Sequence, residues 1–364
     1  MKFELETLCI EEASRTSALA MRVLAGLPAQ VAIRYVADGR TAARRSGEAA
    51  DPFGAGKRRM VLMRRRGNFL MGCPAGSNAF ACCGYLVMVL ASNCPMDCSY
   101  CFLQEYVADN PGLQIYTNYT DVFAELDRLR DGSPERALRI GTGELADSLA
   151  FDSLTGISRE LVAYFARREH LLLELKTKTD EIDNLLAIDP RGRTLVSWSL
   201  SPEPVFRSSE HRTASPAARI DAACRVLAAG YKVAFHLDPL IVYPEAERDY
   251  ARLLENLFDR VAPERIAFMS LGGLRMTPGL RATARRRFPR DPLLLGEEVL
   301  APDGRYRTMA PMRFRLYTRL REQIVRANPQ LPVYLCMEGA SVHHRIFGTA
   351  PAAPATLGAR LAGV

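Results

Sequence analysis

The stretch Gly84-Tyr-Leu-Val-Met-Val-Leu-Ala-Ser-Asn-Cys94-Pro-Met-Asp-Cys98-Ser-Tyr-Cys101 carries the information on which the fold depends. Its first part, Gly84 to Ala91, is an apolar run with the length and Val/Leu/Tyr content of a buried strand. Its second part presents cysteines at CxxxCxxC spacing. A loop leaving a strand with thiols so closely spaced wraps them around one face of a metal centre. Thiolates are soft ligands and suit iron–sulfur clusters or zinc. Three ligands, not four, leave one metal position open for a small molecule. A zinc knuckle, or unrelated core thiols, is the alternative. Zinc sites pair CxxC or Cys/His halves, and no second half lies nearby.

Outward from this stretch the pattern is strand–helix alternation. Strands are expected near 84–91, 137–142, 171–176, 194–200, 231–238 and 265–271. Helices are expected near 119–130, 155–168, 180–187, 215–229, 246–260 and 311–327. Such alternation predicts βα units, a parallel sheet and an α/β fold: an open, partial (β/α)6 TIM-like barrel. Chemistry then belongs at the carboxyl ends of the strands, where the cysteine loop leaves the first of them. Residues 1–80 read as an N-terminal α/β extension and 81–340 as the barrel. Within the extension, Phe3 to Ile10 and Gln30 to Val36 read as strands around a helix over Glu11 to Leu27. Residues 38–57 read as a loop or a disordered stretch, and Met60 to Arg64 as a further strand.

A C-terminal β-hairpin is expected at about 290–310. Its arms are Leu293 to Leu300 and Arg305 to Met309, on the turn Pro302-Asp303-Gly304. The second arm, with Arg305, Tyr306 and Arg307, suits a nucleic-acid probe; the alternative is a hairpin that closes the open barrel. Residues 332–337 read as a last strand ending at Cys336, and the Ala/Pro/Gly-rich tail 349–364 as disordered.

The chain has 364 residues, 48% hydrophobic and 24% charged, which is ordinary globular material. It contains no 18-residue apolar span, and charge stands where a signal peptide needs an apolar core. A cytoplasmic protein without a membrane partner is expected, its nine cysteines reduced. Cys73, Cys82 and Cys83 fit no ligand spacing and read as small buried thiols. The net charge of +7 has its basic residues clumped at Lys57-Arg58-Arg59, 64–66, 285–287 and 305–315. Such clumps neutralise phosphates or simply solvate a surface.

The CxxxCxxC spacing resembles the signature of the radical S-adenosylmethionine superfamily. Within it the chain resembles the spore photoproduct lyase family, which repairs a thymine dimer in DNA. The resemblance rests on Cys98-Ser-Tyr100-Cys101-Phe102-Leu103-Gln104, Tyr116-Thr-Asn118, Thr177-Lys178, Asp183-Asn-Leu-Leu, Ser215-Pro216 and Arg219-Ile220. It implies that Cys94, Cys98 and Cys101 hold a 4Fe–4S cluster whose open iron binds S-adenosylmethionine. It implies cofactor contacts for Lys178 and Ser199, and an electron donor such as flavodoxin or ferredoxin. It further implies reductive cleavage to a 5′-deoxyadenosyl radical that takes hydrogen from the substrate, a nucleobase lesion in DNA.

Departures bear on the reaction. The family returns a hydrogen atom from a cysteine just after the second strand; Glu144 stands there in this chain. Thr142-Gly143-Glu144 is instead similar to the Gly-Gly-Glu motif of other radical S-adenosylmethionine enzymes, whose glutamate meets the cofactor's ammonium group. Without that role Glu144 is an ordinary carboxylate at a helix start. The family's paired tyrosines are reduced to Tyr100, because Phe102 has no hydroxyl. Tyr100, Cys336 or regenerated 5′-deoxyadenosine is the replacement donor to consider. Asp238, in His236-Leu-Asp238-Pro239, faces the substrate or merely caps a turn. Two further readings stay open: a small molecule, nucleoside or peptide as substrate, and a non-catalytic iron–sulfur nucleic-acid-binding protein.

Overall fold

Leu171-Leu-Leu-Glu-Leu-Lys-Thr177 shows how the central sheet is built. Leu171, Leu173 and Leu175 alternate with Glu174 and Lys176, so one face is apolar and the other polar. The structure, a computed structural model, describes residues 4–44, 49–73, 80, 83–129 and 138–351. In chain order the strands are β1 (Thr7–Glu11), β2 (Ala32–Val36), β3 (Arg59–Met63), β4 (Leu70–Gly72), β5 (Leu86–Met88), β6 (Ala91–Ser92), β7 (Asp97–Cys98), β8 (Leu113–Tyr116), β9 (Leu138–Gly141), β10 (Leu171–Thr177), β11 (Thr194–Ser199), β12 (Glu210–His211), β13 (Lys232–Leu240), β14 (Ile266–Gly273), β15 (Arg275–Met276), β16 (Glu298–Leu300), β17 (Tyr306–Thr308) and β18 (Val333–Leu335).

Eight of them form one sheet in the order β18-β14-β13-β11-β10-β9-β5-β4. Its pairings are parallel except β4 with β5. The sheet curls into a half-barrel, the partial TIM-like architecture expected from the alternation. Helices Ile157–Phe165, Pro216–Ala228, Ala246–Arg260 and Ala310–Ala327 pack their apolar faces on its convex side, against Leu173, Val196, Phe235 and Leu271. A second sheet, β2-β1-β3-β8-β6, forms the N-terminal layer. β6 and β8 belong to it although they flank the cysteine loop, so that loop lies between the two sheets. No described helix is long and apolar enough to cross a membrane.

Four local expectations are corrected. Residues 180–187 are turns and not a helix. Ile182, Leu185 and Leu186 mimic helical spacing, but Thr179 Oγ1 takes the Glu181 N–H and Asn184 Nδ2 is drawn to the Asp152 carbonyl at 2.8 Å. The expected helix over Glu11 to Leu27 begins only at Ala18, where Ser17 Oγ accepts the Ala20 N–H at 3.1 Å. Within 38–57, two short helices, Gly39–Ala43 and Pro52–Gly56, start on the side chains of Asp38 and Asp51. In the hairpin, strand pairing starts only at Glu298, after a single helical turn over Pro292–Leu295. The hairpin pairs with β15 in a three-stranded sheet. Its arginines are engaged internally: Arg307 is buried and bonds Asp303 at 2.6 Å, and Arg305 reaches Asp303 at 3.4 Å. Its exposed large apolar side chains are Leu295, Val299, Leu300 and Met309. Cys82 and residues 352–364 of the tail lie outside the described residues.

The concave side is layered. Leu195, Ala234, Phe268 and Tyr334 plug the amino end of the half-barrel, with Cys83 against them. Above them Glu174 is the hub of a buried polar layer. It accepts from Arg139 at 3.0 Å, Ser197 at 2.7 Å and His236 Nε2 at 2.9 Å, while His236 Nδ1 faces Ser270 Oγ at 2.6 Å. Burial pushes the His236 imidazole below its ordinary range, so it is neutral. Burial alone would raise the Glu174 carboxyl, but Arg139, then His236 and Ser197, hold it down at about 2.

Both groups have folded-state pKa values below their unfolded ones, so both add stability that is lost as pH falls. For His236 the loss begins near pH 6.5, and for Glu174 near pH 4.5. The urea midpoint is therefore expected to be lower at pH 5.5 than at pH 7.5, and less so in His236→Gln. An equal pH dependence in the two proteins would remove His236 from this account.

Candidate active site at the carboxyl end of the barrel

The cysteine loop turns sharply off the end of β6. Asn93 has φ of 67°, a left-handed conformation that asparagine tolerates, and its Oδ1 accepts the Cys94 N–H at 2.8 Å. β7 then carries Cys98 into an antiparallel pair with β12, Cys98 opposite Glu210. The Ser99 N–H adds a bond to the Ser209 carbonyl at 2.8 Å. Cys94 and Cys98 are buried and Cys101 half-buried, and all are free thiols. Burial pushes all of them up, Cys98 to about 12. Cys101 lies close enough to both others for their charges to interact. Among the described residues no group of His, Cys, Asp or Glu converges on a single ion.

Beside the loop lies a charged network centred on Glu210. Tyr100 Oη donates to Glu210 Oε1, and Lys178 Nζ donates to Tyr100 Oη at 2.5 Å and to Glu210 Oε1 at 2.8 Å. Ser201 Oγ donates to the same oxygen at 2.8 Å, and Arg219 to Oε2 at 2.6 Å. Arg219 also donates to the Ser199 carbonyl at 2.8 Å. Burial would raise the Glu210 carboxyl, but Lys178 and Arg219 outweigh it and hold it well below the usual range.

Across the mouth, Glu144 follows β9. Gly143 permits this placement: a Cβ there would lie 2.6 Å from Lys176 Cβ. Glu144 is half-buried and accepts no hydrogen bond from a described residue. Its charge acts on Lys176 and on Tyr85. Asp238 is not a turn cap: it accepts from Arg275 at 2.8 and 3.2 Å, and Arg275 and Lys176 hold it down against burial. Cys336 lies against the same pair, 3.9 Å from Arg275 Nη2.

A family model for spore photoproduct lyase matches residues 77–311. The chain belongs to the spore photoproduct lyase family. A family relative from Clostridium acetobutylicum is 24% identical over 270 residues, 74% of this chain and 78% of that one. The Bacillus subtilis spore photoproduct lyase is 26% identical over 212 residues, 57% of this chain and 61% of that one. A solved spore photoproduct lyase complexed with dinucleoside spore photoproduct superposes with a TM-score of 0.80, covering 92% of this chain and 100% of that one at 21% identity. A variant of it with bound AdoMet and the same dinucleoside has the same score. By family membership the chain is a radical S-adenosylmethionine enzyme of the lyase kind.

In this spore photoproduct lyase-like chain the expected site residues fall into two groups. Cys94, Cys98, Cys101, Tyr100, Lys178 and Ser199 gather around the cysteine loop and Glu210, while Glu144 and Asp238 sit around Lys176. Glu210, Lys176 and Arg275 are the side chains that sequence reasoning missed. Lys176 was open to view: with Glu174 and Lys178 it makes a period-two polar series in a strand of leucines.

Proposed function

We propose that this chain binds a 4Fe–4S cluster on Cys94, Cys98 and Cys101, cleaves S-adenosylmethionine reductively, and acts on a nucleobase lesion in DNA. The observation that carries this is three free thiols gathered at the carboxyl end of a half-barrel in a chain of this family. In a cubane each thiolate takes a different iron, so three cysteines at this spacing can share one cluster.

When bound, the cluster and S-adenosylmethionine supply a 5′-deoxyadenosyl radical that removes a hydrogen atom from the substrate. The chain's own residues bind and aim. Lys178 uses two of its three N–H groups on Tyr100 and Glu210, leaving one for the cofactor's carboxylate. Glu144, which accepts no hydrogen bond from a described residue, accepts from the cofactor's ammonium group. Ser199, on the concave face at the end of β11, contacts the cofactor beside Lys178. Asp238 faces the substrate from its pair with Arg275. A reductant such as flavodoxin or ferredoxin delivers the electron, and the cytoplasm is the compartment that keeps these thiols reduced.

Glu144 leaves the family's thiol position empty, and the Tyr100 O–H is directed at Glu210. Reconstituted protein with dithionite is therefore expected to form 5′-deoxyadenosine and to convert dinucleoside spore photoproduct poorly. Clean conversion to two thymidines would show that no thiol is needed. Binding of duplex DNA should weaken steeply with salt; a flat dependence favours a small-molecule substrate. Glu144→Ala is expected to weaken S-adenosylmethionine binding about tenfold, the loss of one charge-assisted hydrogen bond. An unchanged Kd by calorimetry would take the ammonium contact away from Glu144.

A further inference from the structure

We infer that Lys57, from the N-terminal layer, is a positioning residue that also sets the reduction potential of the centre held by the cysteine loop. This rests on reading Cys94, Cys98 and Cys101 as cluster ligands. Lys57 directly follows the helix Pro52–Gly56, and its side chain is 2% exposed. Its ammonium donates to the Met96 carbonyl and, at 2.8 Å, to Asp97 Oδ1. Both acceptors lie between Cys94 and Cys98.

The rest of the frame comes from far along the chain. Arg287 donates to both Asp97 oxygens at 3.1 Å, to Asp51 at 2.9 Å, and to Gln104 Oε1 at 2.7 Å. Gln104 Nε2 in turn donates to the carbonyls of Ser99 at 2.8 Å and Cys101 at 3.2 Å. Arg287 Nη2 reaches both Asp97 oxygens and so already supplies Asp97 with a counterion. A neutral donor would satisfy the Met96 carbonyl. Burying an ammonium costs several kcal/mol, so the second cation is more than holding the loop requires.

The charges are also unevenly placed. The Lys57 and Arg287 side chains are 2% and 7% exposed, whereas the balancing Asp51 is 44% exposed and screened by solvent. The positive end of the frame therefore faces inward. The Lys57 ammonium is held on the segment between Cys94 and Cys98, by the Met96 carbonyl and the Asp97 carboxylate. A centre that accepts one electron from a low-potential donor gains one negative charge, and no bond at Lys57 forms or breaks. A buried cation nearby favours that reduced state.

The test is an anaerobic reductive titration of the reconstituted full chain with dithionite, read by electron paramagnetic resonance, with iron content measured alongside. Lys57→Met keeps the stem and deletes the charge. It should retain iron and make reduction about tenfold less favourable, which is about 59 mV for one electron. Asp97→Asn deletes the neighbouring negative charge and should shift the midpoint the opposite way. Opposite shifts are what a purely mechanical frame does not give. If both variants lose iron, or both keep it at the wild-type potential, the inference is overturned. A wild-type protein that binds no iron would instead refute the cluster reading beneath it.

Discussion

Cys98→Ala is expected to abolish iron binding and to reduce 5′-deoxyadenosine formation to background. The thiol is buried in β7, and its backbone is held by pairing with Glu210 on the other strand. An alanine keeps that pairing, so the change removes the ligand and leaves the loop. Cys94→Ala and Cys101→Ala should behave alike, since each thiolate serves a different iron. Cys9→Ala is the control: Cys9 is buried in β1 of the N-terminal sheet, and its loss should leave iron content unchanged. Iron and product persisting in Cys98→Ala would refute the ligand set, whereas loss in Cys9→Ala would point to misfolding.

The cysteines and the half-barrel were legible because both are local signals. CxxxCxxC spans eight residues, and each strand carries its own apolar period. Glu210 was not legible. It sits in Glu210-His211-Arg212, which reads as solvated surface, and its partners Tyr100 and Arg219 lie elsewhere in the chain. Asp238 stayed open between a substrate-facing and a turn aspartate for the same reason: Arg275, its partner, is 37 residues on. Lys57 looked like part of a basic clump with Arg58 and Arg59. Arg58 reaches surface Glu6, whereas Lys57 turns inward to Asp97. The alternation of buried and exposed neighbours in such a clump is set by tertiary pairing and leaves no composition signal. The apparent helix at 180–187 failed in the opposite direction, with local hydrophobic spacing overruled by side-chain bonds to the backbone.

Glu210→Ala is expected to destabilise the fold by about 3–5 kcal/mol, the usual cost of removing one partner from a buried ion pair. Glu210 and Arg219 have side chains that are 0% exposed, so solvent cannot replace the lost carboxylate. Arg219 would keep its bonds to the Ser199 and Ala214 carbonyls but lose its counterion. Among the described residues, Lys178 would retain only Tyr100 as an acceptor. Glu210→Gln keeps the shape and one acceptor oxygen, so it should cost less while still leaving Lys178 and Arg219 without a negative charge. The pH dependence has a definite sign. The folded Glu210 pKa lies below its unfolded value near 4.5, so its contribution is complete above that pH and is lost as pH falls further. The urea midpoint of Glu210→Gln should therefore converge on that of the wild type as the solution is acidified. A burial network of this kind need not make the native protein more stable than an apolar core would. What it does is fix Tyr100 and Lys178 in one arrangement beside the cysteine loop, since both bond the same oxygen that Ser201 bonds. A midpoint for Glu210→Ala within about 0.5 kcal/mol of wild type, the range of ordinary surface changes, would show that the network does not exist in solution.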